Sequence, residues 1–423
     1  MIEVKTLPNG ARIVHEYMDQ VRSAAVVFCV GHGSRHEPPG LEGAAHAIEH
    51  MVFKGTQTRT AAELAAEMDA IGGQVNAYTT KENTCFYAHA LDSHLPVAID
   101  LLSDIFFNPR FDEEAWELER GVIIEEIAMC EDLPDDLVYK NLYEAIFAGH
   151  PLGGTILGTE ESLGGMTAAK LLAYKRKNYR ACEVAVALAG HYAPSDLARL
   201  EEILSAMTPA ECPPLVPCSY TPAFTLREKD TEQNHIVLGF PSLPVGEKGY
   251  FREKHFPYCI MSSILGAGMS SRLYQTVREE NGLCYSVYAY RTGHRDVGVA
   301  GVYTALGPDT EKKALALIRE VVERYVREGP TEQELTKARE QLKANILMGL
   351  ESTVNRAFDI GNQIFIYNEI AEIDDYVARI DAVTRERVME HSAAVFDFSR
   401  ISLSVVGRPE GEAVYRELLC PNG

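Results

Sequence analysis

Between Thr208 and Phe224 the chain carries Pro209, Pro213, Pro214, Pro217 and Pro222. Neither a helix nor a sheet ladder tolerates that density, because each ring fixes φ and removes an amide donor. Residues 209–226 are therefore expected to be a linker between domains at 1–208 and 227–423. On either side of it the order of elements repeats. The segment FDEEAWELERGVIIEEIAM (111–129) aligns with PTEQELTKAREQLKANILM (330–348), with Glu113 on Glu332, Arg120 on Arg339, Ile127 on Ile346 and Met129 on Met348. Together with the shared order of elements, these matches point to an ancestral duplication.

In the first half, residues 11–16 and 23–30 read as strands, bounded by Pro8-Asn9-Gly10 and Gly31-His32-Gly33. Thr60 and Glu63 form a capping box that opens a helix, and Gly72-Gly73 stops it. Strands are expected at 75–78 and 84–90, and a long helix over 112–129, where good helix formers carry apolar residues at Trp116, Val122, Ile123 and Ile127. The second half has strands at 235–240, 284–290 and 297–303, with helices around 258–265 and 271–280.

The segment GLEGAAHAIEHMVFKGT holds the group with chemistry. His46 and His50, four apart, share one face of a helix, and Glu49 lies beside them. Ala44, Ala45, Ile48, Met51, Val52 and Phe53 make that helix apolar nearly all round, so it is expected to be buried. Three ionisable groups on a buried helix need partners or a metal. Zinc takes imidazole nitrogen, keeps three protein ligands in catalytic sites, and lowers the pKa of a water whose proton Glu49 is placed to accept. The order H-x-x-E-H is the inverzincin signature. The third ligand is sought on the acidic helix with Glu113, Glu114, Glu117, Glu119, Glu125 and Glu126. Glu119 and Glu126 are seven apart and point the same way, but position alone does not choose between Glu125 and Glu126. Asn345 falls opposite Glu126 and nothing in the second half matches 46–50, so only the first half has this group.

The 61 acidic against 40 basic side chains give a net charge of −21. That disfavours nucleic-acid partners and favours basic peptides. Gly266-Ala-Gly268 lacks the spacing of a phosphate loop. Nine cysteines, at 29, 85, 130, 182, 212, 218, 259, 284 and 420, form no regular framework and read as reduced thiols. The start MIEVKTLPNGARIVHEY has no apolar signal core, and no stretch approaches the ~20 apolar residues of a membrane span. A cytoplasmic protein without membrane partners is expected.

Across nearly its whole length the chain resembles the pitrilysin and insulinase family of inverzincins, in particular the processing-peptidase branch related to the β-subunit of mitochondrial processing peptidase. GSRHEPPGLEGAAHAIEHMVFKGT, GGQVNAYTTKENTCFYA and ERGVIIEEI carry the likeness in the first half, and GMSSRLYQTVREENGLCYSVYAY in the second. The resemblance implies two homologous α+β domains, each a mostly antiparallel sheet with helices on one face, making half of a clamshell that closes over a chamber with an identical or related subunit. It implies one zinc per chain on His46, His50 and Glu126, which follows His50 by 76 residues, with Glu49 as base and Glu119 supporting. It places Asn76 and Ala77 on an edge strand that takes substrate as an added strand. Arg278 and Tyr285 match an arginine–tyrosine pair that the second half supplies. The implied activity is hydrolysis of extended or unfolded peptides. The alternative is a silent scaffold or peptide-binding subunit of the same fold.

Overall fold

The computed structural model describes residues 1–420. They fall into two compact units. The first comprises Met1–Ala128, Gly154–Val216 and Leu347–Glu372, and the second Met129–Gly153, Pro217–Ile346 and 373–420.

The sheet of the first unit contains β1 (Glu3–Thr6), β2 (Arg12–Tyr17), β3 (Ser23–Val30), β4 (Gln74–Thr79), β5 (Thr84–Leu91) and β6 (Val184–Gly190). Their order is β1-β2-β6-β3-β5-β4, antiparallel except for β2 with β6. The second unit's sheet contains β7 (Phe224–Glu228), β8 (Asn234–Ser242), β9 (Cys284–Gly293), β10 (Gly298–Leu306) and β11 (Ser402–Gly407). It runs β7-β11-β8-β10-β9, antiparallel except for β7 with β11. Two mostly antiparallel α+β units are therefore present, as the sequence implied.

The central strands are buried almost throughout. Only Ser23 of β3 is partly exposed, and β6 is buried at every position. A strand needs cover on both faces for that. One face of the first sheet packs on α1 (Ala44–Met51), α2 (Ala61–Ala70) and α3 (Leu95–Phe107), through Val26, Phe28, Ile48, Leu64 and Ile99. The other face is covered by the helix Thr353–Asn362, whose Ala357 and Ile360 pack on Ala25, Val27 and Ala187. Arg356 of that helix, fully buried, pairs with Glu16 of β2 and with Asp359.

α4 (Glu113–Asp132), whose residues to Ala128 belong to the first unit, leads into α5 (Pro134–Ile146), which plays the same part in the second unit. Its Leu137, Val138 and Leu142 pack on Val237, Val299 and Val406. Thr353 follows Pro134 by 219 residues, the offset that aligns 330–348 on 111–129. Each half of the sequence thus supplies one helix to the unit built mainly from the other half. One of several unit boundaries falls in the proline-rich stretch, between Val216 and Pro217, while 129–153 and 347–372 group with the unit built mainly from the other half rather than following contiguous domains at 1–208 and 227–423. Local patterning cannot reveal which sheet an amphipathic helix covers.

Two further expectations change. Residues 274–279 form wider i→i+5 turns within the expected 271–280 helix. Cys182 and Cys212 are joined in a disulfide, so these two are not reduced thiols. They stand 30 residues apart in sequence and meet at Cα–Cα 6.0 Å because the proline-rich stretch folds back on the first unit. Among the described residues no helix is long and apolar enough to cross a membrane.

Candidate metal centre

α1 begins at a backbone position that only glycine suits. Gly43 has φ +94°, and a Cβ there would meet the Leu157 carbonyl oxygen at 2.6 Å. No side chain caps the helix locally. Instead the buried Glu37 reaches back and accepts from the amides of Gly43 and Ala45, each at 2.7 Å. These acceptors satisfy orphan donors of the helix N-terminus, and although the two bonds favour the ionised carboxyl, burial outweighs them and pushes the Glu37 pKa up to about 8. Ala44, Ala47, Ile48 and Met51 anchor the opposite face in the core, leaving His46, Glu49 and His50 to face the site.

α4 brings the acidic partners. Trp116 is fully buried and its Nε1 donates to the Met166 carbonyl at 3.2 Å. With Ile123 it fixes the helix rotation, and such burial stabilises by about 2–3 kcal/mol per side chain. Glu119 and Glu126 consequently meet α1, while Glu125 is exposed.

One ligand atom each from His46, His50 and Glu126 lies within 4.8 Å of the other two. The Nε2 atoms of His46 and His50 stand 3.7 and 3.8 Å from Glu126 Oε2. These gaps are too long for hydrogen bonds. They approach the ~3.3 Å separation of two atoms each bonded at ~2.0 Å to one tetrahedral zinc. Burial, and then the neighbouring His50, push the His46 pKa down to about 4, so its ring is neutral, as a ligand requires. The donor set fits zinc: two imidazoles and a carboxylate leave a fourth position open.

His50 Nδ1 lies 3.1 Å from Glu119 Oε2, and Lys54 Nζ holds the other Glu119 oxygen at 2.6 Å. Glu119 therefore orients the ring without entering the three-residue group. Glu49 Oε2 accepts from the Thr79 hydroxyl at 2.5 Å. Burial raises the Glu49 pKa, partly offset by Thr79 and His50. A carboxylate raised toward neutrality is suited to accept and return a proton.

Residues 12–160 match the family described as Insulinase (Peptidase family M16), and residues 165–342 match the Peptidase M16 inactive domain. The uncharacterized zinc protease YmxG of Bacillus subtilis is 39% identical over 394 residues, 92% of this chain and 94% of the relative. This chain belongs to the insulinase family, M16. Another M16 relative, an uncharacterized zinc protease of Rickettsia bellii, is 33% identical over 405 residues, 96% of this chain and 97% of its own. The M16 fold is also seen in a peptidase M16 inactive domain from Pseudomonas fluorescens, at TM-score 0.88, 20% identity and coverage of 97% of this chain and 99% of that one. A protease from Helicobacter pylori superposes at TM-score 0.86 with 19% identity, over 96% and 99%.

Other residues singled out in the M16 chain are placed as follows. Asn76 and Ala77 lie on β4, an edge strand whose outer side has no strand partner among the described residues. Asn76 Oδ1 accepts from the Ala77 amide at 2.8 Å. In the second unit, the Arg278 guanidinium sits 4.7 Å from the Tyr274 ring centroid and 4.8 Å from that of Tyr285. Tyr285 is exposed on β9. The structure thus joins Arg278 to Tyr285, and separately joins His46, Glu49, His50, Glu119 and Glu126 within the first unit.

Sequence reasoning gave no role to Thr79, Lys54 or Glu37. Lys54 lies beyond the end of α1 at Met51, so helical spacing gave it no signal. Thr79 and Glu37 carried none, since their partners arrive through tertiary folding.

Proposed function

We propose that this chain is a zinc-dependent endopeptidase that cleaves extended or unfolded peptides. The convergence of His46 Nε2, His50 Nε2 and Glu126 Oε2 beside the Thr79-held Glu49 carries the reading. His46, His50 and Glu126 would hold one zinc. When bound, zinc supplies Lewis acidity that makes water more acidic and a peptide carbonyl more electrophilic. Glu49 takes the proton of the attacking water and passes it to the leaving amine. Glu119 keeps His50 in register.

The free side of β4 suits a substrate that adds as a strand, with backbone bonds that ignore sequence. Such a peptide would displace Asn76 Oδ1 from the Ala77 amide. Arg278 and Tyr285 form a pair that would steady the substrate and donate to the developing oxyanion. In this reading the protein is cytoplasmic, belongs to the processing-peptidase branch, and forms half of a clamshell closed by a second identical or related subunit. Its acidity favours basic peptides.

The test is cleavage of a quenched arginine-containing peptide by wild type and Glu49→Gln, both loaded with zinc. Turnover by wild type and loss of at least about a hundredfold in the variant, with metal content unchanged, is the expected result. A variant as active as wild type would refute the assignment of Glu49. A zinc-loaded wild type without turnover would favour the silent-subunit reading.

A further inference from the structure

The first unit contains a cavity of about 1120 Å3 whose lining includes none of His46, Glu49, His50, Glu119 or Glu126. Lys175, Arg176, Lys177 and Arg180, from the end of the helix Ala168–Asn178 and the turn after it, line it. None of the four has a carboxylate partner among the described residues. Arg180 spends its Nε and Nη1 on the backbone carbonyls of Lys177 and Glu211. Arg59, elsewhere in the lining, is by contrast matched by Glu67, Asp100 and Asp104. Arg176, Lys177 and Arg180, cations without a carboxylate partner, and the buried Lys175 thus line one cavity of a chain whose net charge is −21.

Cations near a helix C-terminus complement its dipole, which accounts for exposed Arg176 and Lys177. It does not account for two buried groups. Lys175 is 6% exposed, with Nζ donating to the Phe106 carbonyl and lying 5.1 and 4.6 Å from the ring centroids of Phe106 and Tyr179. Burial, and then the neighbouring Arg176, push the Lys175 pKa down to about 7, and an anion bound beside Nζ would restore the ammonium form. Ser103 in the same lining is 9% exposed, and its Oγ has no hydrogen-bond partner. Phe107, Ile203 and Met207 give the cavity an apolar side as well.

We propose that this cavity binds a phosphorylated small molecule, whose phosphate is neutralised by the Lys175–Arg180 cluster and whose organic part lies on Phe107, Ile203 and Met207. A dianionic phosphate matches several cations where a carboxylate matches one, and its oxygens accept from both ammonium and hydroxyl donors. The cavity volume suits a small organic ligand. Recognition by side-chain cations needs no glycine-rich loop. The inference is independent of whether the metal centre turns over peptide.

The experiment measures binding of phenyl phosphate and of inorganic phosphate to the full chain by calorimetry at fixed ionic strength, before and after chelator treatment. Lys177→Ala and Arg180→Ala are run beside wild type, with circular dichroism to confirm the fold. Saturable binding of one phenyl phosphate per chain is expected, tighter than inorganic phosphate, unchanged by chelation, and weakened about tenfold by either substitution. Absent saturation, equal binding by folded variants, or loss on chelation would overturn the proposal. Equal affinity for the two probes would overturn the part assigned to the apolar side.

Discussion

Glu119 Oε2 stands 3.1 Å from His50 Nδ1, which makes Nδ1 the protonated nitrogen and leaves Nε2 with its lone pair toward Glu126 and His46. His46 has no such partner, since its buried Nδ1 is unpaired, and is held by packing alone. The two imidazoles of one helix are therefore oriented by different means.

Glu119→Gln tests that difference. An amide can donate to or accept from Nδ1 but carries no charge, so ring orientation and basicity both weaken. Zinc affinity, measured by competition with a chromogenic chelator, should fall about 10–100-fold. Unchanged affinity would show that Glu119 does not orient the ligand.

Thr79→Val removes the hydroxyl that bonds the Glu49 carboxylate while keeping its volume. That bond favours the ionised form, so its loss raises the Glu49 pKa further. A general base works when deprotonated. The acid limb of kcat/KM should therefore move to higher pH, with activity falling by a larger factor at about pH 6 than at about pH 8. A uniform loss at all pH values would assign Thr79 another role.

The metal-free protein should lose stability in acid through His46. Its pKa falls from 6.5 unfolded to about 4 folded. The neutral form is favoured by the fold, so the contribution is present above 6.5 and is lost as pH falls toward 4. The limit is on the order of 3 kcal/mol. His46→Gln should make the urea-midpoint profile of the chelated protein less steep across that window, where His32 and His255, also depressed by burial, contribute as well and continue to do so below it. A profile of unchanged slope would contradict the neutral, buried placement.

Cys212→Ser should release the proline-rich stretch from the first unit. Closing a 30-residue loop constrains the unfolded chain by about 3–4 kcal/mol in the entropy model. A lower unfolding midpoint and new protease cleavage near Val216 are expected. A midpoint equal to wild type under oxidising conditions would argue against the bond.

The H-x-x-E-H spacing is helical arithmetic. Once 44–51 is helical, His46 and His50 share a face whatever surrounds them, so the sequence alone placed two imidazoles and the Glu49 carboxylate together. The break between Val216 and Pro217 and most strands were equally local, set by proline chemistry and by alternation of apolar residues. The choice of Glu126 over Glu125 was not local. It depends on the rotation of α4, which Trp116 and Ile123 set by entering the core. Thr79 reaches Glu49 only because β4 lies beside α1, and Glu37 caps α1 only because the intervening loop turns at Gly43. The crossed helices 134–146 and 353–362 were hidden for the same reason. An amphipathic pattern states that a face must be buried, and only the tertiary structure decides against which sheet.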